Sequence, residues 1–183
     1  MKPLYLFVSI AIIASAQNQP QFKEDKLEFP ANYREWIFLS SGLGMTYGPM
    51  AMPMEPQFDN VFVAPEAYRE FLKTGHWPDK TMFVLEIRAA ASKGSINKGG
   101  NFQESLRAVE VEVKDVARFK EDGWAYFGFG QKREPVAREG KSAGCNTCHN
   151  ANGAVENTFV QFYPTLLEVA KAKGTVKAGV VKE

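Results

Sequence analysis

The chain has 183 residues, the length of one domain rather than two of ordinary size. Lys and Arg number 22 and Asp and Glu 21, a formal net charge of +1. That balance leaves no electrostatic case for binding nucleic acid or an acidic membrane surface. Hydrophobic residues make up 45% and charged residues 23%, an ordinary globular composition, and 14 Phe make the expected core aromatic.

Residues 1–17 read as a secretory signal. Lys2 supplies the positive charge, the stretch from Leu4 to Ile13 is nearly all apolar, and Ala14-Ser15-Ala16 is a small-x-small cleavage site. The apolar run is too short for an ordinary membrane span. The expected organisation is a signal peptide over 1–16, an N-terminal arm over 17–29 and one folded domain over 30–183. The mature chain is expected to be exported and to have no membrane partner.

Residues 30–38 (PANYREWIF) predict a short helix with Tyr33, Trp36 and Ile37 on one face. Residues 40–57, with three Gly, three Pro and four Met, predict a loop. A short strand is expected at 60–64. A helix follows at 65–74, with Tyr68, Phe71 and Leu72 inward and Gly75 closing it. Residues 81–90 predict a strand and 91–102 a hairpin connection. In 106–113, Val109, Val111 and Val113 alternate with Glu110 and Glu112, the pattern of a half-buried strand with one wet face. A helical turn is expected at 116–120, a strand at 124–129, a charged loop at 131–144 and a short helix at 146–152. Residues 159–173 begin extended, break at Pro164 and end as an amphipathic helix, and the last ten residues read as frayed. The fold class is α+β: a mainly antiparallel sheet of about four or five strands with short flanking helices.

The chain has only two cysteines, in Cys145-Asn146-Thr147-Cys148-His149. C-x-x-C-H is the attachment pattern of c-type haem. Two thiols three positions apart can add to the two vinyl groups of one porphyrin, and the next residue places an imidazole under the iron. A structural disulfide closing so short a loop would stabilise little. A redox dithiol wants a βαβ context, which is missing here, and a zinc site would need ligands beyond the distant His76. These residues therefore predict one covalently bound haem c, with His149 as the metal ligand. Met45, Met50, Met52, Met54 and His76 are open candidates for the sixth iron ligand, and the Met-rich loop is also a candidate for Cu(I). With none of them bound, the iron is five-coordinate.

The order of NYREWIF, FDNVFVAPEAYREFLKTGHWPDKT, VEVEVKD, GWAYFGF, CNTCH and FVQFYP resembles the cytochrome P-460 family, which includes the cytochromes c′-beta. The resemblance runs from about Asn32 to Pro164. It implies a mostly antiparallel β-fold, a homodimer and a five-coordinate c-haem in the periplasm. Within the family, the P-460 branch oxidises hydroxylamine and carries a lysine cross-linked to the porphyrin. The c′-beta branch lacks that lysine and binds nitric oxide and carbon monoxide in an apolar pocket capped by phenylalanines. Here Leu85 stands where the lysine is expected, with Lys80 as the fallback in another register. Phe58 and Phe83 are the candidate aromatic caps. Glu134 and Glu139 are the candidate bases for hydroxylamine chemistry. Arg133 and Arg138 are candidates for pairing with the propionates.

The resulting expectation is a periplasmic cytochrome that binds nitric oxide or a similar small nitrogen-oxide ligand. Hydroxylamine oxidation is the alternative and plain electron transfer the second alternative. The redox partner, a cytochrome, leaves no mark in the sequence.

Overall fold

The computed structural model describes residues 18–47, 55–140 and 144–181. The signal segment and Met50, Met52 and Met54 lie outside the described residues. Two short strands in the N-terminal arm, β1 (Phe22–Lys23) and β2 (Lys26–Leu27), pair as a hairpin. Five longer strands follow: β3 (Ile37–Leu43), β4 (Gln57–Val63), β5 (Met82–Ala91), β6 (Phe102–Lys114) and β7 (Trp124–Gly130). They lie side by side in that order, each antiparallel to the next. A last strand, β8 (Val136–Ala137), joins β2. The helices are α1 (Pro65–Thr74), α2 (Cys145–Asn152) and α3 (Pro164–Lys173). The architecture is α+β and mainly antiparallel, as the sequence patterns predict. Among the described residues no helix is long and apolar enough to cross a membrane.

Directly paired residues in a sheet share a face, and alternate residues along a strand return to it. Three rows therefore cross one face of the main sheet. The first is Ile37, Val63, Phe83, Glu112 and Tyr126; the second is Val61, Leu85, Glu110 and Gly128; the third is Asp59, Ile87 and Ala108. The opposite face carries Phe62, Val84, Val111 and Phe127 in one row. The N-terminal arm closes over this second face, with Phe22 edge-on to Phe127, Phe29 edge-on to Phe129, and Tyr33 edge-on to Phe62. On the first face, Trp77 stacks on Phe71 of α1 and stands edge-on to Phe83, while its indole N–H donates to Thr158 Oγ1 at 2.8 Å. The core is thus two apolar layers separated by the sheet, each buried aromatic contributing roughly 1.5–3 kcal/mol.

One buried carboxylate anchors the second face. Glu86, 1% exposed, accepts from Tyr33 Oη at 2.5 Å and Arg88 Nε at 2.8 Å, and pairs with Arg34. Such a charge is tolerated inside because it is paired and hydrogen-bonded.

Several local expectations are corrected. Residues 30–38 do not form a helix: a single 3-10 turn covers Tyr33–Glu35, and Ile37 opens β3. The run Trp36-Ile37-Phe38-Leu39 is continuous apolar sequence, which suits a strand, and pairing with β4 decides it. The loop expected at 40–57 is shortened accordingly, because β3 runs to Leu43. In α1, Gly75 does cap the helix at φ 75°, but Leu72 faces outward at 39% exposure, and Ala67 joins Phe71 in the core. The expected charged loop after β7 contains β8. The segment after α3 is not loose, since Val176, Val180 and Val181 pack on the core and the Lys177 amide donates to Ala154.

Candidate cofactor site

Helix α2 opens on the first cysteine of the C-x-x-C-H run and ends at Gly153, whose N–H donates to the His149 carbonyl at 2.8 Å. A Cβ at residue 153 would lie 2.8 Å from the His149 carbonyl oxygen, the Asn157 carbonyl carbon and the Thr158 nitrogen. Only glycine lets the chain fold back so tightly against the helix end. Positions i, i+3 and i+4 of a helix share one side, so Cys145, Cys148 and His149 present their side chains together. The two cysteines are not bridged.

The His149 ring is held between Tyr126, at 4.5 Å between ring centres, and Phe159, at 4.4 Å. Its Nδ1 lies 2.8 Å from the Asn157 carbonyl oxygen. A carbonyl only accepts, so in the neutral ring Nδ1 carries the proton and Nε2 holds the lone pair. This is the arrangement of a metal-binding histidine. Asn157 is fixed in turn, its amide donating to Asn146 Oδ1 at 2.8 Å while Asn146 donates to Asp122. A carboxylate stands on the other side of the same nitrogen: Glu112 Oε1 is 3.4 Å from His149 Nδ1, buried and without a hydrogen-bond partner.

Since Tyr126 is on the first face, α2 stands over the three rows described above. That face is not the uniformly apolar pocket that the resemblance to the c′-beta branch implies. Val61, Leu85 and Ile87 share it with Asp59, Glu110 and Glu112. Glu139 reaches it as well, because its Oε1 lies 2.7 Å from where a Cβ of Gly128 would stand. Burial, then the Glu139 and Glu110 carboxylates, push the Cys145 thiol up. Glu110 is pushed up by desolvation and then by Glu139 and Asp59; the residue is solvent-accessible, so the repulsion is the more telling cause. Asp59, 6% exposed, is raised by burial and accepts from Gln57 at 3.1 Å.

Two unbridged thiols and an imidazole fixed through Nδ1 on one helix side form a donor set that fits a haem. The family model for cytochrome P460 matches residues 30–160. The chain belongs to the cytochrome P460 family. It is accordingly a haem cytochrome. A comparison with curated proteins finds no match.

Against the pattern of a cytochrome P460, the remaining candidates divide. Leu85 is on the face under α2, in register with Glu110. Lys80 is in the turn before β5, its Nζ 2.6 Å from Asp115. Phe83 shares the face but is packed among Trp77, Trp124 and Tyr163, as part of the core. Phe58 alternates to the opposite face, in register with Arg88. Glu139 is on the site and Glu134 is exposed in the loop. The Arg133 guanidinium stacks over Phe29, on the far side of the sheet, and Arg138 is exposed. His76 is exposed, 3.6 Å from Glu156. Met45 packs over Gly42, next to Asp59, and its sulfur is 3.9 Å from the Tyr47 hydroxyl.

Sequence reading missed Glu112, Tyr126, Asn157 and Phe159. Glu112 carried a signal: it alternates with the buried valines, and a polar row beside a C-x-x-C-H helix is as consistent with a lined cofactor face as with a solvated one.

Proposed function

We propose that the chain is an exported, periplasmic c-type cytochrome, working as a homodimer, whose haem is thioether-linked to Cys145 and Cys148 and held at the iron by His149 Nε2. Its role is to bind nitric oxide or a similar small nitrogen-oxide ligand at five-coordinate iron. The observation that carries the reading is the imidazole of His149, fixed through Nδ1 on the Asn157 carbonyl and clamped by two rings beside a pair of unbridged thiols. Bound there, the iron would supply a one-electron couple and an open coordination position. The protein's own part is to orient the imidazole, to tether the ring through two thiols and to present Val61, Leu85 and Ile87 as apolar surface.

Leu85 favours ligand binding over hydroxylamine turnover, because a leucine side chain has no group with which to form the porphyrin cross-link. A second reading, proton-coupled oxidation of hydroxylamine, is favoured by Glu139. Its carboxylate sits beside Glu110 on the same face, where it could take a substrate proton. The ferrous absorption spectrum separates the two. Ligand binding predicts an ordinary high-spin c-haem spectrum that changes on adding nitric oxide. A strongly red-shifted ferrous band would instead support the lysine-modified haem and overturn the first reading.

A further inference from the structure

We infer that Glu112 is a positioning residue that tunes the iron through His149, acting as a second, anionic neighbour of the imidazole Nδ1–H. The inference rests on the proposal that His149 binds the iron. Glu112 projects from the C-terminal end of β6, in register with Phe83 and Tyr126, and its side chain is 11% exposed. A buried carboxylate oxygen without a partner is unfavourable unless a nearby group compensates it. The nearest cation-forming group is the His149 ring, at 3.4 Å from Oε1. Tyr126 is directly across from Glu112 in the sheet and its ring lies against the imidazole, so the acid and the ring meet on one strand pair.

The short bond to the Asn157 carbonyl fixes the tautomer. Burial pushes the Glu112 carboxyl up and the His149 ring draws it back down; ionised, it adds negative charge beside a nitrogen that already donates. An acceptor of this kind raises the basicity of the coordinating nitrogen and strengthens its bond to the metal. It also favours the more positive, ferric state of the iron. The fold maintains Glu112 there at a cost in desolvation, whereas a structural residue in this row would be apolar, like Phe83 across from it.

The test uses the mature holoprotein with Glu112→Gln, which keeps shape and removes charge, and Glu112→Asp, which keeps charge and withdraws it by one methylene. Haem loading is first confirmed by intact mass. Two quantities are then read: the midpoint potential, and the iron–histidine stretching band of the ferrous form by resonance Raman spectroscopy. Glu112→Gln is expected to move the potential positive and the band to lower frequency. Glu112→Asp is expected to move both the same way by less, and it carries the test alone if the Gln variant does not accumulate. Loaded variants with both quantities unchanged would overturn the inference while leaving the proposed haem ligation intact. Wild-type protein without covalent haem would overturn the ligation itself.

Discussion

His149 is bound through Nδ1 to the carbonyl of Asn157, eight residues further along the chain, at 2.8 Å. The bond exists because the backbone reverses at Gly153 with no room for a side chain. Three of the backbone atoms that a Cβ would meet cannot rotate away. Gly153→Ala is therefore expected to destabilise the fold by about 1–3 kcal/mol, the usual cost of overpacking. It should also displace the Asn157 carbonyl. Thermal unfolding and the haem-to-protein absorbance ratio check this, and both should fall together.

The Trp77 indole joins α1 to the first face of the sheet and to the loop after α2. Trp77→Ala is expected to cost roughly 3–5 kcal/mol in urea unfolding. Trp77→Phe keeps most of the packing but loses the bond to Thr158, leaving that buried hydroxyl with its Val155 carbonyl contact, and should cost about 1 kcal/mol from the hydrogen bond.

Much of this was legible from local pattern. The alternating valines of β6, the apolar run of β5 and the Pro-to-Gly limits of α1 each depend on residues close in sequence, and each element formed where they point. The C-x-x-C-H run likewise identifies itself. Pairings between distant segments were not legible. Residues 37–39 become a strand only because β4 lies alongside, and the hairpin β1–β2 is ordered by Leu27 entering the core. The same holds for the site. Glu112 and His149 are 37 positions apart, and the alternation that exposes Glu112 to one face does not say what covers that face. Phe58 fails as a pocket residue for the opposite reason: strand parity alone puts it on the far side from Asp59 and Val61.

Acid should weaken the fold through Glu86 and Asp115. Burial raises the Glu86 carboxyl, but hydrogen bonds from Arg88, Tyr33 and Arg34 outweigh it and hold the group below its ordinary value of 4.5. Asp115 is lowered likewise from 3.8: burial raises it, and bonds from Lys80 and the Arg118 amide outweigh this. A carboxyl depressed in the folded state contributes stability above its unfolded value and loses it as pH falls through the folded one. The contribution of Glu86 and Asp115 to the denaturant midpoint should therefore be steady from neutral pH down to about 4.5 and then fall. Glu86→Gln should lower stability at neutral pH and reduce the steepness of the acid limb. An unchanged acid limb in that variant would remove Glu86 from the account.

Glu139 separates ligand binding from turnover. Glu139→Gln keeps the shape beside Gly128 and removes the base. Nitric oxide binding, followed by ferrous absorbance, should be unchanged. Any hydroxylamine oxidation that depends on this carboxylate should drop by about 10²–10⁴, the usual contribution of a positioned base.

The central claim is tested most directly by intact-mass measurement on exported protein, made in cells with working cytochrome maturation and unfolded in acid before analysis. The account predicts the mass of the chain from Gln17 plus one haem, still attached after unfolding, and lost from a Cys145→Ala/Cys148→Ala variant. A bare polypeptide mass, with the haem extracted into organic solvent or never present, would contradict it.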